Sequence, residues 1–244
     1  MLTLKNISLT ADGAQGRADI VKNVSLDVED GKFLVITGPN GGGKTTLAKL
    51  MMGLATPTGG QILLDGEDIT GLSITERARR GISYSFQQPP RFKGMKVKDL
   101  LTIAAGKTLS HDEACSYLTQ VGLCARDYLG RDVDTSLSGG EVKRIEIATL
   151  LAKNSRIMIF DEPEAGIDLW SFARLTETFQ AIHERHACTL IIISHQERII
   201  RLADEIVLVA NGQVAGRGSV DSLYPQILAG TVSGCNRLEV NGTC

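Results

Sequence analysis

The chain has 244 residues, 43% hydrophobic and 22% charged, the composition of a soluble globular protein with length for one large core or a core with a smaller lobe. Its 26 Lys+Arg and 28 Asp+Glu give a net charge of −2, which argues against a dedicated nucleic-acid binder, since such proteins usually carry a basic excess. Residues 2–9 and 20–28 carry strand-like apolar spacing around Asp12-Gly13 and Gly16, predicting a hairpin-like pair. Glu29-Asp30-Gly31 turns the chain into Phe33-Leu34-Val35-Ile36-Thr37, a buried strand, and Leu47–Met52 is a helix-forming run that stops at Gly53. A turn cluster at 56–60 leads to a short strand, 61–64, and Ser73 with Glu76 at capping-box distance opens a short helix running through Arg80. Gly81–Phe86 is a further strand.

From Gln88 to about residue 137 the chain reads helical, with helices at 96–105 and 111–121 punctuated by Gly106, Gly122 and Gly130, and is expected to be a small lobe inserted in the main body. A helix over 138–153 follows, then the strand Arg156–Phe160, a long helix over 169–186, the strand Cys188–Ile193, a helix over 196–203, and a strand pair, 205–210 and 213–216, about Asn211-Gly212. Strands alternating with helices predict an α/β fold with a mostly parallel sheet. The expected organisation is a single domain over 1–230 with the helical subdomain at 88–137 inserted, and a flexible tail over 231–244 carrying Cys235 and Cys244. No run is long and apolar enough for a membrane span, Met1-Leu2-Thr3-Leu4-Lys5 does not begin a signal peptide, and five cysteines without pairing rhythm read as reduced thiols. The expected location is cytoplasmic, without direct membrane insertion, and peripheral to a membrane only through a partner.

Between the strand 33–37 and its helix lies Gly38-Pro39-Asn40-Gly41-Gly42-Gly43-Lys44-Thr45-Thr46, which fits G-x-x-x-x-G-K-[ST]. Bare backbone N–H groups and a helix N-terminus can wrap the oxygens of a triphosphate when no Cβ intrudes. Lys44 is placed for the β- and γ-phosphates and the Thr45 hydroxyl for Mg²⁺. Ile157-Met158-Ile159-Phe160-Asp161-Glu162 is a buried strand delivering two carboxylates at its C-terminal end, where ligands of open α/β sheets bind. Asp161 suits Mg²⁺, and Glu162 suits the attacking water, as base or positioner.

Leu137-Ser138-Gly139-Gly140-Glu141, about twenty residues before that strand, makes the chain resemble the ATP-binding cassette (ABC) ATPases from Met1 to about Gly218. The resemblance implies an ATPase with ATP and Mg²⁺, and a second copy of the chain as partner. Ser138, Gly139 and Gly140 would contact the γ-phosphate of the ATP held by that copy in a head-to-tail dimer. It also implies roles for Gln87, on Mg²⁺ or water and in coupling the lobe to the core, for Asp168 in the loop Ala165-Gly166-Ile167-Asp168 across the dimer, and for His195 on the γ-phosphate. His111, His183 and His186 receive no role. Residues 1–32 lack the aromatic residue that usually stacks on adenine, leaving Ile20 or Val21 as its aliphatic support, and Gly42 replaces the more usual serine or alanine.

Within that family, Gly139-Gly140-Glu141-Val142-Lys143-Arg144-Ile145-Glu146, Glu164–Asp168 and the absent aromatic look most like SufC, the ATPase of iron–sulfur cluster assembly, which implies a SufB- or SufD-like scaffold as partner. Pro163 after Asp161-Glu162 is instead typical of transporters, and the alternative is the nucleotide-binding subunit of an ABC transporter, its lobe docked on a transmembrane permease subunit. DNA-repair ABC ATPases would need a far longer insertion.

Overall fold

In a computed structural model, which describes residues 1–13, 16–185 and 188–230, the chain opens with the strands β1 (Leu2–Gly13) and β2 (Gly16–Val28). They pair antiparallel, Leu2 opposite Val28 and Leu4 opposite Leu26, and the register shifts between Leu4 and Ile7. Asn6, at φ 51°, sits at that irregularity and Asn23, also at φ 51°, at the next one, between Ile7 and Leu9, and the first shift keeps Leu2, Leu4 and Ile7 all on the buried face. Next come β3 (Phe33–Thr37), α1 (Lys44–Met52), β4 (Gly59–Leu64), β5 (Glu67–Asp68) and α2 (Ile74–Arg79). The chain continues through β6 (Ile82–Ser85), β7 (Phe92–Lys96), α3 (Val97–Ala105), α4 (His111–Gln120), α5 (Ala125–Tyr128), β8 (Asp132–Val133), α6 (Gly139–Ala152), β9 (Ile157–Asp161), α7 (Leu169–Glu184) and β10 (Thr189–Ile193). It closes with α8 (Glu197–Ile200), β11 (Glu205–Ala210), β12 (Gln213–Gly218) and α9 (Val220–Ala229).

These elements form two compact units, Met1–Arg77 with the chain from Ile193 onward, and Ala78–Ile192. In the first, β2, β1, β4 and β5 make an antiparallel sheet, β3 pairs parallel with β11, and β11 pairs antiparallel with β12. Its core is Phe33–Ile36, Leu47, Ala48, Leu50, Met51 and Ile206–Val209. Arg77, 1% exposed, is spent on closing α1. Its guanidinium donates to the carbonyls of Leu50 at 2.6 Å, Met51 at 2.9 Å, Thr70 at 2.8 Å and Leu72 at 3.3 Å. Carbonyls at a helix C-terminus have no partner within the helix, and a buried cation that satisfies several of them also satisfies itself.

In the second unit β6 pairs parallel with β9, and β10 flanks β9 on its other side. Phe160 meets Phe179 of α7 edge-on at 4.9 Å. The lobe packs α6 against α3 and α4. Ser110 opens α4 with a reciprocal capping box to Glu113.

The lobe is not wholly helical, as its apolar spacing suggests. β7 and β8 form a small antiparallel pair within it, Phe92 opposite Val133, and α5 is a single turn. β5 and α9 are likewise additions to the elements expected from the sequence. All are short, or gain their apolar cover only from chain distant in sequence. His186, Cys235, Cys244 and the tail expected over 231–244 lie outside the described residues. Cys115, Cys124 and Cys188 are free thiols, and burial pushes that of Cys188 up to about 11. Among the described residues, no helix is long and apolar enough to cross a membrane.

Candidate functional site

In the first unit, β3 runs buried into Gly38 and the loop continues to α1. Close backbone approach explains its glycines. A Cβ on Gly38 would lie 2.0 Å from the Val209 carbonyl oxygen, one on Gly42 2.8 Å from the same atom, and one on Gly43 2.9 Å from the Ile20 oxygen. Gly42 is also tied to the β11–β12 turn, its carbonyl accepting from Gly212 N–H at 3.0 Å, while Gly212 in turn accepts from Lys22 N–H at 2.8 Å. Gly41, at φ 74°, has open space where its Cβ would be. Gly43 gives α1 no side-chain cap, so the helix dipole meets incoming anions unshielded by a capping side chain. Lys44 is 5% exposed, and its ammonium donates to the carbonyls of Gly38 at 2.8 Å and Pro39 at 2.9 Å. The loop thus carries its cation folded into itself, available for exchange onto phosphate oxygens.

Ile20 and Val21 run beside this loop at Gly43. Val21 is 2% exposed, and Ile20 is the more open of the two. His195 follows buried Ser194, whose N–H donates to Ile36 O at 3.2 Å. It lines one cavity of about 460 Å³ together with Pro39 and Asn40.

In the second unit, Asp161 ends β9 at 3% exposure and accepts the Tyr84 hydroxyl at 2.8 Å. Burial, and then the Asp161 charge, push the Tyr84 phenol above its ordinary range, so it remains the donor. Glu162 sits at φ 46°, a left-handed conformation that costs a non-glycine residue about 1–2 kcal/mol and, where it is kept, points to function. The Gln87 amide donates to Glu162 Oε2 at 2.7 Å. The structure therefore brings Gln87, Asp161 and Glu162 into one polar cluster.

Ser138 caps α6. Its hydroxyl accepts from Glu141 N–H at 3.3 Å, and Glu141 Oε2 accepts from Ser138 N–H at 2.7 Å. Although burial opposes the charge, bonds from the Tyr128 hydroxyl and from Ser138, with the Arg131 charge, hold Glu141 down at about 2. Gly139 and Gly140 have a packing reason of their own. A Cβ on Gly140 would meet Ser171 Oγ at 2.3 Å, and one on Gly139 the Gly166 carbonyl at 2.9 Å. Asp168, exposed, is the N-cap of α7. Its Oδ1 accepts from the N–H groups of Trp170 and Ser171, each at 2.9 Å, and its Oδ2 accepts from the Ser171 hydroxyl at 2.7 Å.

Lys143 and Glu146 were not among the residues expected at the site. Lys143 is 1% exposed. Its ammonium donates to Phe86 O at 2.6 Å, Ser85 Oγ at 3.2 Å and Glu146 Oε2 at 3.0 Å. Glu146 also accepts from Ser85 Oγ at 2.7 Å and Phe86 N–H at 3.1 Å. This buried pair fixes the chain immediately before Gln87. A Lys and a Glu three apart on a largely apolar helix were the signal.

Each unit by itself offers a group that suits Mg²⁺ beside a phosphate: Thr45 in the first is a helix-borne hydroxyl, and Asp161 in the second is a buried carboxylate, both ligands of the type that Mg²⁺ takes while phosphate and water fill its other positions. Among the described residues no group of three or more His, Cys, Asp or Glu could hold a metal ion by itself.

The family described as "ABC transporter" matches residues 21–165. An uncharacterized ABC transporter ATP-binding protein of Methanocaldococcus jannaschii is 39% identical over 212 residues, 84% of each chain. The sulfate/thiosulfate import ATP-binding protein CysA of Neisseria meningitidis serogroup A is 31% identical over 86% of this chain, and the chain spans 60% of that relative's length. An ATP-binding cassette solved as a dimer in a post-hydrolysis state with ADP and Pi superposes with a TM-score of 0.80 at 24% identity, over 90% of this chain and 99% of that one.

Gly38→Ala and Gly41→Ala separate contact from conformation. By urea denaturation Gly38→Ala loses about 3 kcal/mol or more, and Gly41→Ala only about 1–2 kcal/mol, the cost of the left-handed backbone. Equal losses would contradict the close approach to Val209.

Proposed function

The chain belongs to the ABC transporter family, whose cassettes are ATPases, and we propose that it is the ATP-hydrolysing subunit of a membrane transporter, acting as a head-to-tail pair of identical chains. The observation that carries this reading is the pairing of an uncapped phosphate loop on one unit with an outward-facing Ser138-Gly139 turn on the other. Both are helix N-termini suited to phosphate. The transporter relatives support the cassette's employment, and the dimeric fold neighbour supports the pairing.

In this reading the amides of Gly41–Lys44 and the Lys44 ammonium bind the β- and γ-phosphates of ATP, while Ile20 supports adenine. Pro39, Asn40 and Thr46 complete the loop. Ser138, Gly139 and Gly140 contact the γ-phosphate of the ATP on the second copy. Asp161 and Thr45 would each offer Mg²⁺ an oxygen ligand, and Gln87 would serve it or a water. Bound Mg²⁺ neutralises charge on the phosphate oxygens. Glu162 orients the attacking water and accepts its proton, and Gln87 fixes the Glu162 carboxylate through the 2.7 Å bond. The water oxygen bonds to the γ-phosphorus, the bond to the β-phosphate oxygen breaks, and ADP and phosphate leave. His195 donates to the γ-phosphate, and Asp168 keeps the start of α7 in place at the interface.

A second reading, a SufC-like ATPase on a SufB- or SufD-like scaffold, rests on Glu141, Lys143 and Glu146. Those residues have local duties here, as the cap of α6 and the anchor of the Gln87 segment. The likeness therefore has a cause inside the cassette.

Glu162→Gln is expected to bind ATP and lose nearly all turnover, and Lys44→Ala to lose binding, measured by phosphate release and equilibrium dialysis. Near-normal turnover in Glu162→Gln would contradict its role. Affinity purification from native membranes in mild detergent should recover a polytopic membrane protein. Recovery of only a soluble scaffold would favour the second reading.

A further inference from the structure

Two large apolar side chains stand out of the second unit beside the Ser138 turn. Leu169 and Trp170, at the start of α7, are 69% and 83% exposed. The Asp168 cap fixes the backbone that carries them. A rigidly presented indole in water is an interface feature, since aromatic anchors combine large area with few rotors. The Ser138 turn is contiguous with it, because Gly140 closes on Ser171, the next residue.

In the first unit, the 460 Å³ cavity at the edge of the phosphate loop has an apolar floor of Leu208, Tyr224, Ile227 and Leu228, with Asn40 and His195 at its rim. Leu228 is itself 68% exposed. The lining takes in Gly38–Asn40 but not Gly41–Thr46. The amides meant for phosphate and the apolar cavity therefore occupy different ends of one loop.

We propose that Trp170 of one copy of this chain docks into this cavity on a second copy, with its indole on Tyr224, Ile227 and Leu228. The proposal rests on the head-to-tail reading above and names its hydrophobic anchor. On one surface the Ser138 turn and Trp170 are neighbours; on the other, Gly41–Lys44 and the cavity are neighbours. Bringing Ser138 to the second copy's phosphate loop brings Trp170 to one end of that loop, and the Pro39–Asn40 end is the one that offers an apolar cavity. Polar contacts to a shared ATP would then be joined by an apolar contact that excludes water beside it.

Trp170 is the chain's single tryptophan, so its fluorescence reports the contact without a label. The full-length Glu162→Gln chain is followed with and without MgATP, by sedimentation for mass and by emission maximum and acrylamide quenching for Trp170. The expected result is a doubled mass, a blue-shifted emission and a severalfold fall in quenching. Leu228→Glu in the same background, at a position 68% exposed, should abolish the shift, with or without the dimer. Trp170→Ala should weaken the dimer by roughly 30-fold, the loss of one aromatic hot spot. A doubled mass with a solvated indole overturns the docking while leaving the dimer reading intact. Protection that survives Leu228→Glu overturns the assignment to this cavity. A mass that stays that of one chain overturns the dimer reading and the docking together.

Discussion

The phosphate loop depends on one close approach of backbone to backbone, Gly38 against the Val209 carbonyl. A Cβ at 2.0 Å from that oxygen is impossible, so the strand β3 can end where it does only with glycine. From that fixed point the loop turns under the β11–β12 hairpin, Gly42 is clamped by Gly212, and Lys44 closes on the carbonyls of Gly38 and Pro39. Each contact spends conformational freedom before a ligand arrives, which makes the loop a preorganised anion receptor.

A related device appears at the Ser138 turn. Gly139 and Gly140 let the start of α6 press on the Gly166 turn and Ser171, so the Ser138 turn and the start of α7 are packed directly against each other. Glu141 caps the turn from within the helix, and Lys143 and Glu146 tie the same helix to Ser85 and Phe86. One helix, α6, therefore orients both the turn offered to a second chain and the segment that carries Gln87. A nucleotide gripped by the turn would be felt at the Gln87–Glu162 bond through rigid connections rather than through a diffuse path.

The parts legible in the sequence were those whose chemistry is local. The run Gly38–Thr46 between strand and helix, the carboxylates ending β9 and the helix opening at Ser138 each declare themselves within a few residues. What stayed hidden depends on contacts between distant positions. Gly139 and Gly140 read as bare amides, yet they also face Gly166 and Ser171. Glu141, Lys143 and Glu146 read as the mark of a subfamily, yet they cap and anchor. β7 pairs with β8 across about 36 residues of helix-rich chain, at a separation where periodicity carries no signal.

If catalysis needs the loop of one chain and the Ser138 turn of another, activity must follow the amount of paired chain. The most direct test is the specific ATPase activity of the wild-type chain as a function of its concentration at saturating MgATP. The account predicts a specific activity that falls steeply on dilution, in step with the loss of dimer seen by sedimentation. A specific activity that stays constant down to concentrations at which only single chains sediment would contradict it.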